Sequence, residues 1–123
     1  MTERSDMQGN RGLAAPVLLT LIAPASLEEN VADLLLEAPE LASGFTSSAA
    51  SGHGAGLRFE AASERVRGRG RRTRFELALV RSDADALLAR LRASLGEANV
   101  YYWICPMVEC GNLGDRAPAE ARP

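Results

Sequence analysis

The sequence predicts an α+β domain: a four-stranded antiparallel sheet with two helices on one face, in chain order βαββαβ. Three observations predict it. Two stretches carry helical periodicity behind acceptable N-terminal caps, two others are apolar on both alternate sets, and a third alternates strictly between apolar and polar residues. The chain of 123 residues suits one domain, and at 46% hydrophobic it can build a modest core.

Each element follows from its residues. "PVLLTLIA", Pro16–Ala23, is a strand with Val17, Leu19 and Leu21 on one side and Leu18 and Ile22 on the other, so both faces call for burial. "SLEE", 26–29, fits a capping box with Ser26 as N-cap and Glu29 reaching back. The helix behind it puts Leu27, Val31, Leu34, Leu35 and Ala38 on one side and stops at Pro39. "GFTSSAASG", Gly44–Gly52, is a strand of small residues.

Residues 52–71 are rich in Gly, Ala, Ser and Arg and hold no sustained period; they predict a long loop. "RTRFELALV", 72–80, alternates, with Phe75, Leu77 and Leu79 on one face and Arg74, Glu76 and Ala78 on the other. "SDADALLARLRASLG", 82–96, is a second helix, with Ser82 as N-cap, Gly96 at its end and a stripe of Ala84, Leu87, Leu88, Leu91 and Leu95. "VYYWICPMV", 100–108, is the last strand, again apolar on both sets. Residues 1–13 and 115–123 predict disordered tails around a domain at 14–114.

This order is the ferredoxin-like split βαβ arrangement. Two helices cover one face of such a sheet. The first and last strands in chain order are nevertheless apolar on the other face too, so another copy of the chain is the expected cover.

Charge narrows the function. Sixteen acids against fourteen bases give a net charge of -2 and a pI near 5.4, which argues against a general nucleic-acid binder. Every base is arginine, a bias with a plain source in GC-rich coding. The apolar run Ala14–Ala25 is shorter than the about 20 residues a membrane helix needs, and it holds Pro16 and Pro24. The N-terminus lacks the apolar core of a signal peptide, so the expectation is a cytoplasmic protein that is not itself a membrane protein, with reduced thiols.

Six arginines fall between Arg65 and Arg74, interleaved with Gly68 and Gly70. Arg65, Arg67, Arg69, Arg71 and Arg72 are the candidate ligand or partner contacts: arginine forks match phosphate or carboxylate, and the glycines let the backbone come close. A solvated loop is the plainer reading of the same residues. His53 in "SGHG", with Cys110 and Glu109, forms the candidate metal set, to be completed across subunits because a normal site needs three or four ligands. Cys105 shares a strand face with Trp103 and Met107 and is expected to be a buried thiol, whereas Met107 and Cys110 offer soft sulfur to Cu(I). No catalytic set, Walker motif or dinucleotide fingerprint occurs, so an enzyme is not expected.

Taken together, "GFTSSAASGHG" (44–54), "RVRGRGRRTRFEL" (65–77) and "YYWICPMVECGNL" (101–113) resemble an uncharacterised family of the PII-like signalling superfamily, over roughly residues 16–113. The resemblance implies a homotrimer whose sheets line its interior. It also implies ligands such as an adenine nucleotide in clefts beneath the long loop, called the T-loop in PII proteins. Members of the family tend to be encoded beside heavy-metal efflux pumps of the resistance-nodulation-division type, which implies such a membrane pump as partner. The chain departs from true PII proteins before its last strand: "SLGEANVYY", 94–102, has one glycine and no basic residue where they carry a glycine- and lysine-rich phosphate turn. "CPMVECGN", 105–112, is similar to CutA divalent-cation tolerance proteins, which implies the alternative of a divalent or cuprous metal-binding protein.

Overall fold

A computed structural model describes residues 15–53 and 69–115. The elements are strand β1 (Pro16–Pro24), a single 3-10 turn (Ala25–Leu27), helix α1 (Glu28–Leu36), strands β2 (Thr46–His53) and β3 (Arg69–Val80), helix α2 (Arg81–Leu95) and strand β4 (Tyr101–Pro106). The predicted order holds. The sheet runs β2-β3-β1-β4 with every neighbouring pair antiparallel.

Pairing register sorts the side chains. Val17, Leu19, Leu21 and Ala23 of β1 lie across from Leu79, Leu77, Phe75 and Thr73 of β3, and Leu19 and Leu21 across from Ile104 and Tyr102 of β4. This set meets Val31 and Leu35 of α1 and Ala84, Leu87, Leu88 and Leu91 of α2 in one core. Leu19, Phe75, Val31 and Leu87 are wholly buried. Phe45 tilts onto Phe75 with ring centroids 5.9 Å apart, an edge-biased geometry that suits two quadrupoles.

Among the described residues no helix lies on the other face. Leu18 and Ile22 are half-buried there, and Tyr101 and Trp103 of β4 are 37% and 48% exposed. Cys105 shares this face by register with Leu18 and is exposed, so within one chain it is not the buried thiol the strand pattern suggests. The strand it belongs to is an edge strand, and an edge strand is covered on its second face only if something packs there.

The helix starts differ from the capping motifs. Pro24 stays extended, at φ -55 and ψ 143, and the residues after it wind as a 3-10 turn, with Glu28 N–H donating to Ala25 C=O. Ser26 therefore lies inside that turn, and Leu27 holds the N-cap position of α1. α2 begins one residue before Ser82, at Arg81, directly off β3 with Val80 as N-cap. Asp83 is buried in its first turn, where the helix dipole favours a negative charge. α2 ends at Gly96, at φ 62 and ψ -123, a conformation that disfavours a side chain.

β2 and β3 keep pairing past the expected ends, to His53 opposite Arg69, because small residues leave the backbone ladder unobstructed. The connection shrinks from 52–71 to 54–68, which lie outside the described residues. β4 is shorter than 100–108; Met107 N–H still reaches Pro16 C=O at 3.0 Å, but Val108 is fully exposed. Asp115, placed in the C-terminal tail by sequence, is held by its N–H on Asn112 C=O at 2.9 Å. The remaining tail residues, 1–14 and 116–123, are outside the described residues.

Candidate functional site

The arginine loop leaves the sheet from the far end of the β2–β3 hairpin, and its root is built from the last rungs of that ladder. Ala49, Ala50, Ser51, Gly52 and His53 stand opposite Thr73, Arg72, Arg71, Gly70 and Arg69. Strand alternation then sends Arg71 and Arg72 to opposite faces. Arg71 lies on the helix side and is exposed, whereas Arg72, in register with Pro24, is 2% exposed. The Arg72 Nη1 donates to the Arg71 carbonyl at 3.1 Å.

At this root lies a cavity of ≈330 Å³ between the hairpin and the start of α1. Ser51, Arg71, Arg72 and Thr73 line one wall and Ala25 and Glu28 the other. The small side chains of Ala49 and Ala50 leave it open. Thr73 Oγ1 donates to Glu28 Oε1 at 3.0 Å, tying β3 to the first turn of α1. The cavity thus offers a guanidinium, a carboxylate and two hydroxyls around a small space. That set suits a polar ligand with an anionic group and hydroxyl-bearing parts.

The five predicted arginines have different fates. Arg71 and Arg72 line the cavity. Arg69 opens β3 opposite His53. Arg65 and Arg67 lie outside the described residues. Nothing in the sequence marks Ser51, Thr73 and Glu28 as ligand contacts; the fold brings Ser51 and Glu28 to the arginines and ties Thr73 to Glu28.

The metal set is not gathered within one chain. His53 is exposed at the loop end of the sheet. Glu109 and Cys110 follow β4, whose last residue, Pro106, pairs with Val17 at the opposite end. From Leu79, the β3 partner of Val17, to Arg69 is a span of roughly 30 Å at ~3.3 Å per residue. A site that used His53 with Glu109 or Cys110 would need two copies of the chain. Among the described residues no group of three His, Cys, Asp or Glu side chains is placed to hold a metal ion. Among the described residues no helix is long and apolar enough to cross a membrane.

Comparison with known proteins fits this geometry. A family model described as "Protein of unknown function (DUF3240)" matches residues 14–114. The crystal structure of a DUF3240 family protein from Shewanella baltica is similar, with a TM-score of 0.66 and 26% identity over 82% of this chain and 99% of that one. A putative PII-like signalling protein from Thermus thermophilus matches with a TM-score of 0.54 and 24% identity, covering 76% of this chain and 88% of that one. CPII, a nitrogen regulatory PII-like protein from Thiomonas intermedia solved with ADP, AMP and bicarbonate, matches at 0.61 and 17% identity over 80% and 96%. The last two likenesses establish the PII-like, ferredoxin-like fold. No curated protein matches the sequence.

Proposed function

Because this chain belongs to the DUF3240 family, we propose that it is a PII-like regulatory protein in which a small anionic ligand at the root of the arginine loop governs how that loop meets a partner. The cavity between β2, β3 and α1 is the observation that carries this reading. A ligand there touches the two strands that enter and leave the loop, as well as the helix behind them. It can shift the loop only if it binds one loop state better than another, and Arg71 on the last rungs is the residue best placed to make that difference. The bound ADP, AMP and bicarbonate of CPII support an adenine nucleotide or a small anion as the ligand class. The reading is of a binding protein, not an enzyme.

The functional unit in this reading is a homotrimer with the open sheet faces turned inward. Support comes from the aromatic pair Tyr101 and Trp103, exposed beside half-buried Leu18 and Ile22 on a face that no helix among the described residues covers. Arg65, Arg67 and Arg69 then serve the partner contact, with Arg71 and Arg72 nearer the ligand. The resemblance to proteins encoded beside heavy-metal efflux pumps makes such a pump the first partner to test.

Native mass spectrometry on protein purified without a metal-affinity tag tests the assembly, and calorimetric titration with AMP, ADP and bicarbonate tests the ligand. The expected result is a trimer that binds one of the three, with binding lost in Arg71→Ala. A monomer that binds none of them overturns the proposal.

A further inference from the structure

A second cavity, of ≈340 Å³, opens in the crevice between α2 and β4, on the opposite edge of the sheet from the loop root. Its inner wall is apolar: Leu21, Leu88 and Leu91 are at most 7% exposed, and Leu95 and Val100 close the sides. The turn between α2 and β4 contributes Gly96, Ala98 and Val100, and the first two carry little or no side chain into the space. A cavity of this size, lined mainly by leucine with few polar groups, has the composition of a small-molecule site.

Its polar groups sit on the exposed side. The Arg92 guanidinium lies over the Tyr102 ring, 5.5 Å from its centroid, and its Nη2 donates to Tyr102 Oη at 3.0 Å. The contact holds the guanidinium in one place by cation–π attraction and a hydrogen bond together. A guanidinium has five N–H donors, and this bond uses one of them, leaving the planar fork able to grip a carboxylate. Among the described residues no acidic side chain lines the cavity.

We propose that this crevice binds an amphipathic monoanion: an apolar chain or ring seated against Leu21, Leu88 and Leu91, with a terminal carboxylate on Arg92 and the Tyr102 hydroxyl. The site is independent of the loop-root cavity and goes beyond the regulatory reading, which needs no apolar ligand.

The test is calorimetric titration of the full chain with decanoate and, in parallel, with decanol, which has the same chain length without the charge. Decanoate is expected to bind more tightly than decanol. Arg92→Gln should weaken decanoate binding about tenfold or more and leave decanol unchanged, because it removes a charge-assisted contact and spares the apolar wall. Ala98→Leu, which puts bulk into the crevice, should weaken both ligands. Circular dichroism establishes that each variant is folded, and if Ala98→Leu is not, the Arg92→Gln comparison decides alone. Absence of decanoate binding to the unaltered protein overturns the proposal. So does equal affinity for the two ligands, or an Arg92→Gln variant that keeps the preference for decanoate.

Discussion

Trp103 is the only tryptophan, and it stands on the open sheet face opposite Thr20 of β1. It keeps 48% of its surface exposed in the single chain. An aromatic side chain of this size presents up to ~250 Å², so roughly 120 Å² remains for a neighbouring copy to cover. At ~25 cal/mol/Å² that burial is worth about 3 kcal/mol for each subunit. Trp103→Ser should therefore raise the dissociation constant of the assembly by roughly a hundredfold per subunit contact. The fold of the monomer should be little affected, since the exposed half is the part at stake. Light scattering behind size-exclusion chromatography, over a hundredfold range of concentration, reads the dissociation directly. Fluorescence of the unaltered protein gives a second measure, because dilution past dissociation should shift the emission of the lone indole to the red. Identical concentration profiles for the variant and the parent, or a parent that is monomeric throughout, would refute the reasoning.

Three further outcomes follow from the packing. Gly96→Ala should cost about 1–2 kcal/mol in denaturant unfolding, although a Cβ there meets no atom within 4 Å, because φ is 62 and the penalty lies in the backbone. Thr73→Val removes the hydroxyl that binds Glu28 and should cost about 1 kcal/mol, whereas Glu28→Gln, which keeps an acceptor oxygen, should cost less; urea titrations of both distinguish a hydrogen bond from a packing effect. Leu87→Ala, at a wholly buried position facing the sheet, should lose about 2–5 kcal/mol, read from the shift in the midpoint of chemical unfolding.

Much of the fold was legible because its signals are local. β3 alternates without interruption from Thr73 to Leu79, and its inward set is the buried set. The α2 stripe of Ala84, Leu87, Leu88 and Leu91 is likewise the buried one. Of the two apolar sets of β1, Val17, Leu19 and Leu21 are the buried helix-side set, whereas Leu18 and Ile22 stay half-buried within one chain. The misread points are those where one element constrains the next. Ser26 and Ser82 both satisfy a cap pattern, but a 3-10 turn takes Ser26 up before α1, and β3 runs straight into α2 without a linker. The hairpin outlasted its sequence signal because glycine, serine and alanine carry little side-chain periodicity while their backbones pair freely. At the loop root the arginines stood out by number, but Glu28 and Thr73 are 45 positions apart and meet only once the sheet and α1 have packed. Arg92 and Tyr102 had no signal either: ten residues apart, they face each other because the chain turns back after Gly96.

The sheet order has a consequence for synthesis. Of the four strands β1 is made first and lies inside the sheet, yet its two neighbours are β3 and β4, with Pro16 opposite Val80 and Val17 opposite Pro106. As the chain leaves the ribosome, the most apolar segment of the protein is exposed long before either pairing surface exists. Helix α1 and β2 appear in the interval, and neither can shield both of its edges. Closure awaits "YYWICP", the last of the four strands to emerge, so folding is governed by the slow search for distant pairs instead of by local turns. A nascent chain stalled before Tyr101 would present an open, apolar strand edge, the kind of surface that chaperones bind and that aggregates form on.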